Sequence, residues 1–91
     1  MSQDKFGDVV KWNRKFDRFT SEWLAKEVGV DRTYISKIEN NAVMPSIEVA
    51  IRIMLVLNLD PDQVYSIYHG ELLKRFADYV KKFEKYGVKG S

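Results

Sequence analysis

Arg32, Thr33, Ser36 and Lys37 fall on one side of a short helical pattern, and all four are polar. Arg and Lys side chains suit guanine O6 and N7 in the major groove of duplex DNA, and Thr offers a hydroxyl together with a methyl group. No carboxylate lies among the four to repel a polyanion. This is recognition chemistry rather than catalysis. The chain has no cysteine nucleophile and one histidine, His69, which is expected at the surface. It carries no His pair for a metal, no Gly-rich phosphate loop and no spacing that singles out two carboxylates. No enzyme activity, metal or cofactor is expected.

Those four residues need a scaffold, and residues 20–40 supply one: TSEWLAKEVGVDRTYISKIEN. Two short helical patterns meet at Gly29, which can take the left-handed conformation that ends a helix. Ala25 is small enough for two helices to cross closely. Asp31 is the expected N-cap of the second helix, its carboxylate accepting from the amides of the next turn. Leu24, Val28, Val30, Ile35 and Ile38 recur at helical spacing on the inward side. The unit reads as a helix-turn-helix, which places its second helix against a target, most often the DNA major groove.

The segment resembles the lambda-repressor/Cro family of helix-turn-helix proteins, also called Xre-like. The resemblance rests on Thr20, Leu24-Ala25, Gly29-Val30, Tyr34-Ile35-Ser36, Ile38-Glu39-Asn40 and Pro45-Ser46, and runs from about Val9 to Tyr65. It implies DNA phosphate contacts from Ser21, Tyr34 and Asn40, and base contacts from the outward face of the second motif helix. It also implies a structural pair between Arg14 and Glu39. The chain departs from the family in having Ser21 where Gln is usual and Asn41 where Gly is usual. Residues 42–44 lack the Lys or Arg that many members place over the DNA backbone, and Trp23 stands where the family is usually polar.

Five or six helices and no strand are expected, a compact all-α domain. The first runs from about Lys5 to Arg14 or Phe16, with Phe6, Val9 and Val10 inward and Lys11 and Arg14 on the rim. Trp12 is expected in the core. After Pro45, Ser46 caps a helix whose core stripe is read as Ile47, Ala50, Ile51, Met54 and Leu55, ending at Asn58. Asp60-Pro61-Asp62-Gln63 opens the next helix with the signature of a capping box. Gly70 is expected to break it. A last amphipathic helix, about Glu71 to Tyr86 with Gly87 as C-cap, carries Leu72, Phe76, Val80 and Phe83 on one side, widened by Leu73 and Tyr79. Val88–Ser91 reads as a frayed tail. The division expected is a DNA-binding domain over residues 1–69 and a C-terminal helix plus tail over 70–91. Leu72, Phe76, Val80 and Phe83 are then the candidate dimer interface, because one short recognition helix seldom supplies enough contact.

Ninety-one residues with 45% hydrophobic content suit one domain with a real core. Net charge is only +2. Five basic residues face three acidic ones over 1–20, and six face three over 71–91, so charge alone argues weakly for nucleic acid. The longest apolar stretch, residues 53–57, is too short to cross a bilayer. The opening MSQDKFGD lacks the pattern of a secretory signal, which leads to a cytoplasmic expectation with no membrane partner. The expected function is sequence-specific regulation of transcription by a homodimer that represses from a pseudo-palindromic site on double-stranded DNA. The alternatives are an antitoxin with a toxin protein as partner, and a controller of a restriction-modification or mobile element.

Overall fold

The computed structural model describes residues 5–84, with backbone only at Lys81; the expected helix end at Tyr86, the Gly87 cap and the tail lie outside them. Five helices and no strand occupy the described residues: α1 (Phe6–Phe16), α2 (Ser21–Val28), α3 (Arg32–Glu39), α4 (Ile47–Leu57) and α5 (Pro61–Phe83). The core gathers Phe6, Val9 and Val10 of α1, Leu24 and Val28 of α2, Ile35 and Ile38 of α3, and Ile53 of α4, all fully buried. None of the described buried side-chain polar atoms lacks a hydrogen-bond partner.

The helix ends follow local chemistry. Ser46 and Asp60 cap α4 and α5 as expected, each side chain accepting a backbone N–H, from Val49 at 3.3 Å and Asp62 at 3.0 Å respectively. Asp60 thus takes the amide of Asp62, one position earlier than a capping box requires. Asp31 occupies the N-cap of α3, but its carboxylate makes no cap bond; the Asp31 carbonyl accepts from Tyr34 and Ile35 instead. Gly29 takes φ 85° and Asn58 φ 54°, each ending its helix in the left-handed region.

Three further expectations are overturned in these helices. Gly70 does not break the chain: α5 runs unbroken from Pro61 to Phe83, so the expected sixth helix is the distal half of the fifth. A glycine inside a helix costs only about 1 kcal/mol relative to alanine, too little to stop a helix packed on the core through Val64 and Tyr68 before it and continued by the good helix formers of residues 71–75 after it. Trp12 is 43% exposed rather than core, packing beside Phe16 at 6.2 Å between ring centres. On α4 the buried positions are Ala50, Ile53 and Leu57, with Met54 half-buried, while Ile47, Ile51 and Leu55 face outward. The sequence IEVAIRIMLVL is apolar on nearly every side. A 3.6-residue period therefore fits more than one register, and packing against α1 and α2 decides between them.

Tyr68 fastens α5 to the rest. Its ring meets Phe6 edge-on at 5.4 Å, and its hydroxyl donates to the Pro45 carbonyl at 3.1 Å. Burial, with a smaller contribution from Tyr34, pushes the Tyr68 phenol up to about 12.

Candidate nucleic-acid interface

The platform is built from the back. Ala25, nearly fully buried, lets α2 and α3 pack closely, and Ile35 and Ile38 anchor α3 from behind. Opposite them, Arg32, Thr33, Ser36 and Lys37 are all exposed. The ion pairs among the described residues are Arg14–Glu39 and Glu71–Arg75, so neither Arg32 nor Lys37 is committed to a carboxylate. The structure thus brings the four expected base-reading residues together on one accessible ridge.

The three expected phosphate-contacting residues lie at the start of α2, within α3 and at the C-cap of α3. Ser21 is half-buried at the first position of α2, directly after Thr20, whose hydroxyl accepts the Trp23 N–H at 3.0 Å. Asn40 is exposed at the end of α3, where it forms the C-cap. Tyr34 differs from the other two: half-buried, it packs against the core from the near side of α3. Trp23 is half-buried and stacks on Phe19 at 4.0 Å, which accounts for an indole where the family is usually polar.

The C-terminal end of α3 is tied to α1 by charge. The Arg14 guanidinium grips the Glu39 carboxylate with both prongs, Nε to Oε2 at 2.6 Å and Nη2 to Oε1 at 2.9 Å, and its third nitrogen donates to the Phe19 carbonyl at 2.7 Å. The pair is largely buried, with side chains 12% and 6% exposed, so Arg14 lies deeper than the rim position expected for it. The bond to Glu39 raises the guanidinium further above its already alkaline ordinary value, so Arg14 stays charged at any working pH. It ties the start of the α1–α2 turn to the end of α3.

Asn41 does more than stand in for a glycine. It adopts φ 59°, as the turn after α3 needs, and its side chain reaches back to α1. There Oδ1 accepts the Gly7 N–H and Nδ2 donates to Asp8 Oδ1, both at 3.0 Å. Gly7 is required on the other side of this contact, since a Cβ there would strike the Ile38 carbonyl oxygen and the Asn41 amide. Sequence reasoning missed this latch because its partners are 33 and 34 residues apart. The only trace of it was an Asn at a left-handed position.

No described helix is long and apolar enough to cross a membrane, and no group of His, Cys, Asp or Glu among the described residues could hold a metal.

A helix-turn-helix family model matches residues 19–64, half of the chain, which takes in the whole of the α2–α3 platform and α4. The chain is also 39% identical over 56 residues to the "ImmF control region 10 kDa protein" of Bacillus phage phi105, an alignment that takes in 62% of either protein. It therefore spans less than two thirds of that relative. No solved structure matches it. The buried small-residue crossing, the left-handed turn at Gly29, the exposed polar ridge of α3 and the family match over these same elements identify the chain as a member of the lambda-repressor/Xre-type helix-turn-helix family.

Proposed function

We propose that this chain is a homodimeric repressor that occupies a pseudo-palindromic operator, with the N-terminal part of α3 in the major groove. The observation that carries the reading is the accessible ridge of Arg32, Thr33, Ser36 and Lys37 on a helix whose other side is anchored by Ile35 and Ile38. In this reading Arg32 and Lys37 address guanine, and Thr33 and Ser36 take adjacent base edges. Ser21, Tyr34 and Asn40 hold phosphates and so fix the register. Leu72, Phe76, Val80 and Phe83 on α5 join the two copies. The likeness to a protein of a phage control region supports a role in a genetic switch.

Selection of bound duplexes from a random pool, followed by footprinting, tests this directly. The expected product is an inverted repeat with half-sites centred about one helical turn apart, roughly 34–36 Å. Bound duplexes without two-fold symmetry would overturn the dimeric operator.

An antitoxin is the second reading, and it draws on the exposed Leu72, Phe76 and Phe83 of α5, with the half-buried Val80 beside them, as the surface that masks a toxin. A chain that sediments as a monomer yet still selects a defined sequence would favour it.

A further inference from the structure

The exposed face of α5 has a spacing that reads the same in both directions. Tyr65, His69, Leu72, Phe76, Tyr79 and Phe83 follow one another at intervals of four, three, four, three and four, the 3.5-residue repeat of a helix-pairing seam. All six are exposed, although Val64, Ile67 and Tyr68 of the same helix turn toward the core. The seam runs over 19 residues, whose 18 steps make about 27 Å at the rise of an α-helix. Beside its N-terminal end lies an apolar groove of about 200 Å³, walled by Ile47, Ile51 and Met54 of α4 and by Tyr65 itself. Groove and seam are one continuous surface.

The geometry points to a second copy of this chain as the occupant, its α5 lying antiparallel along this one; the inference rests on the homodimer proposed above and extends its interface to α4. Reversing the seam about its midpoint superposes it on itself. Leu72 then meets Phe76 of the other copy, His69 meets Tyr79, and Tyr65 meets Phe83. Each meeting joins an a-type to a d-type position, as antiparallel pairing requires. Each distal arm thereby ends at the other copy's α4 groove, covering Ile47 and Ile51, which the fold leaves 70% and 46% exposed.

Charge and area agree with this arrangement. Arg75 beside the two-fold axis is already bound to Glu71 at 2.9 Å, so the two copies do not bring bare guanidinium groups together. The Lys82 ammonium lies 5.7 Å from the ring centres of both Tyr79 and Phe83, so that seam cation is met by aromatic faces. The five apolar seam residues, with Ile47, Ile51 and Leu55, offer on the order of 800 Å² at roughly 100 Å² each, which is what a standard interface takes from each partner.

The chain has no cysteine, so engineered thiols report the register without background. Tyr65→Cys and Phe83→Cys, purified separately, are checked for native helicity and then oxidised alone and as a mixture. A covalent dimer confined to the mixture is the expected result. Self-linking of either variant alone, or of Leu72→Cys, would overturn the antiparallel register while leaving a dimer in place. Ile51→Glu, at a position exposed in the monomer, is expected to weaken self-association at least tenfold in sedimentation equilibrium with the helical content unchanged. An unaltered association constant would remove α4 from the interface. A wild-type chain that stays monomeric at 100 μM overturns the pairing altogether. Binding of a selected half-site duplex, titrated with the same samples, reports separately on whether the α3 ridge reads DNA.

Discussion

Removing one end of the Arg14–Glu39 pair should cost this domain a large part of its stability. Arg14→Met keeps the buried stem but deletes three donors, those to Glu39 at 2.6 and 2.9 Å and to the Phe19 carbonyl at 2.7 Å. It leaves the Glu39 carboxylate, in a residue 7% exposed, without its guanidinium. Breaking a buried pair from one side costs about 3–5 kcal/mol, a large share of the roughly 5–15 kcal/mol that stabilises a small domain. The melting temperature should fall by at least about 12 °C, taking 4–8 °C per kcal/mol for a chain of this size. Glu39→Leu should cost a similar amount. The double variant Arg14→Met/Glu39→Leu should lose far less than the sum, because neither change then strands a charge. Urea unfolding followed by circular dichroism yields all three values. Additivity within about 0.5 kcal/mol would refute the reasoning, since separate, solvent-screened groups behave that way. The pair sits behind α3, away from the exposed ridge. DNA affinity of the folded fraction, measured well below the new melting point, should therefore change little.

Lys37→Ala and Arg32→Ala should each lower affinity by about 1–3 kcal/mol and relax preference at one base position, whereas Asn40→Ala should weaken all duplexes alike; titration against a panel of single-base variants separates the two behaviours. Tyr68 should make stability fall at high pH. Its phenol is raised to about 12 in the fold but titrates near 10 when unfolded, so the unfolded chain loses that proton first and stability drops as pH rises from 10 to 12. Tyr68→Phe should flatten this slope in denaturation midpoints taken across that window, while also losing the bond to Pro45. Gly7→Ala should destabilise by about 1–3 kcal/mol, as overpacking does, because the new methyl meets the rigid backbone carbonyl of Ile38; a melting curve unchanged from the parent would argue against that contact.

What could be read from the residues alone was mostly local. Ala25 at the helix crossing, Gly29 at the turn, and the caps Ser46 and Asp60 each act within a few positions of themselves, and all appear as expected. The platform for the recognition ridge was therefore legible. The Arg14–Glu39 pair spans 25 residues and was accessible only through resemblance to known proteins. The Asn41 latch onto Gly7 and Asp8 was not legible, since nothing in either segment points to the other. The outward face of α4 was misread because eleven residues with one Glu and one Arg leave the helix with two apolar sides, and only the position of its neighbours chooses which is buried. Gly70 reads as a break because glycine weakens a helix, but core packing of Val64 and Tyr68 before it and the helix formers of residues 71–75 after it outweigh that penalty.

The uninterrupted passage of α5 through Gly70 has a kinetic consequence. An alanine methyl at that position would meet no atom within 4 Å, so Gly70→Ala should fit the fold and stiffen the arm. As built, the amides beyond the glycine belong to a rod with almost no apolar backing from its own body, which places them at the low end of local opening energies. In dilute solution they should trade hydrogen for deuterium quickly while α1 to α4 stay protected. Raising the protein concentration should slow that exchange by mass action, so the arm's own order becomes a gauge of how many molecules are present.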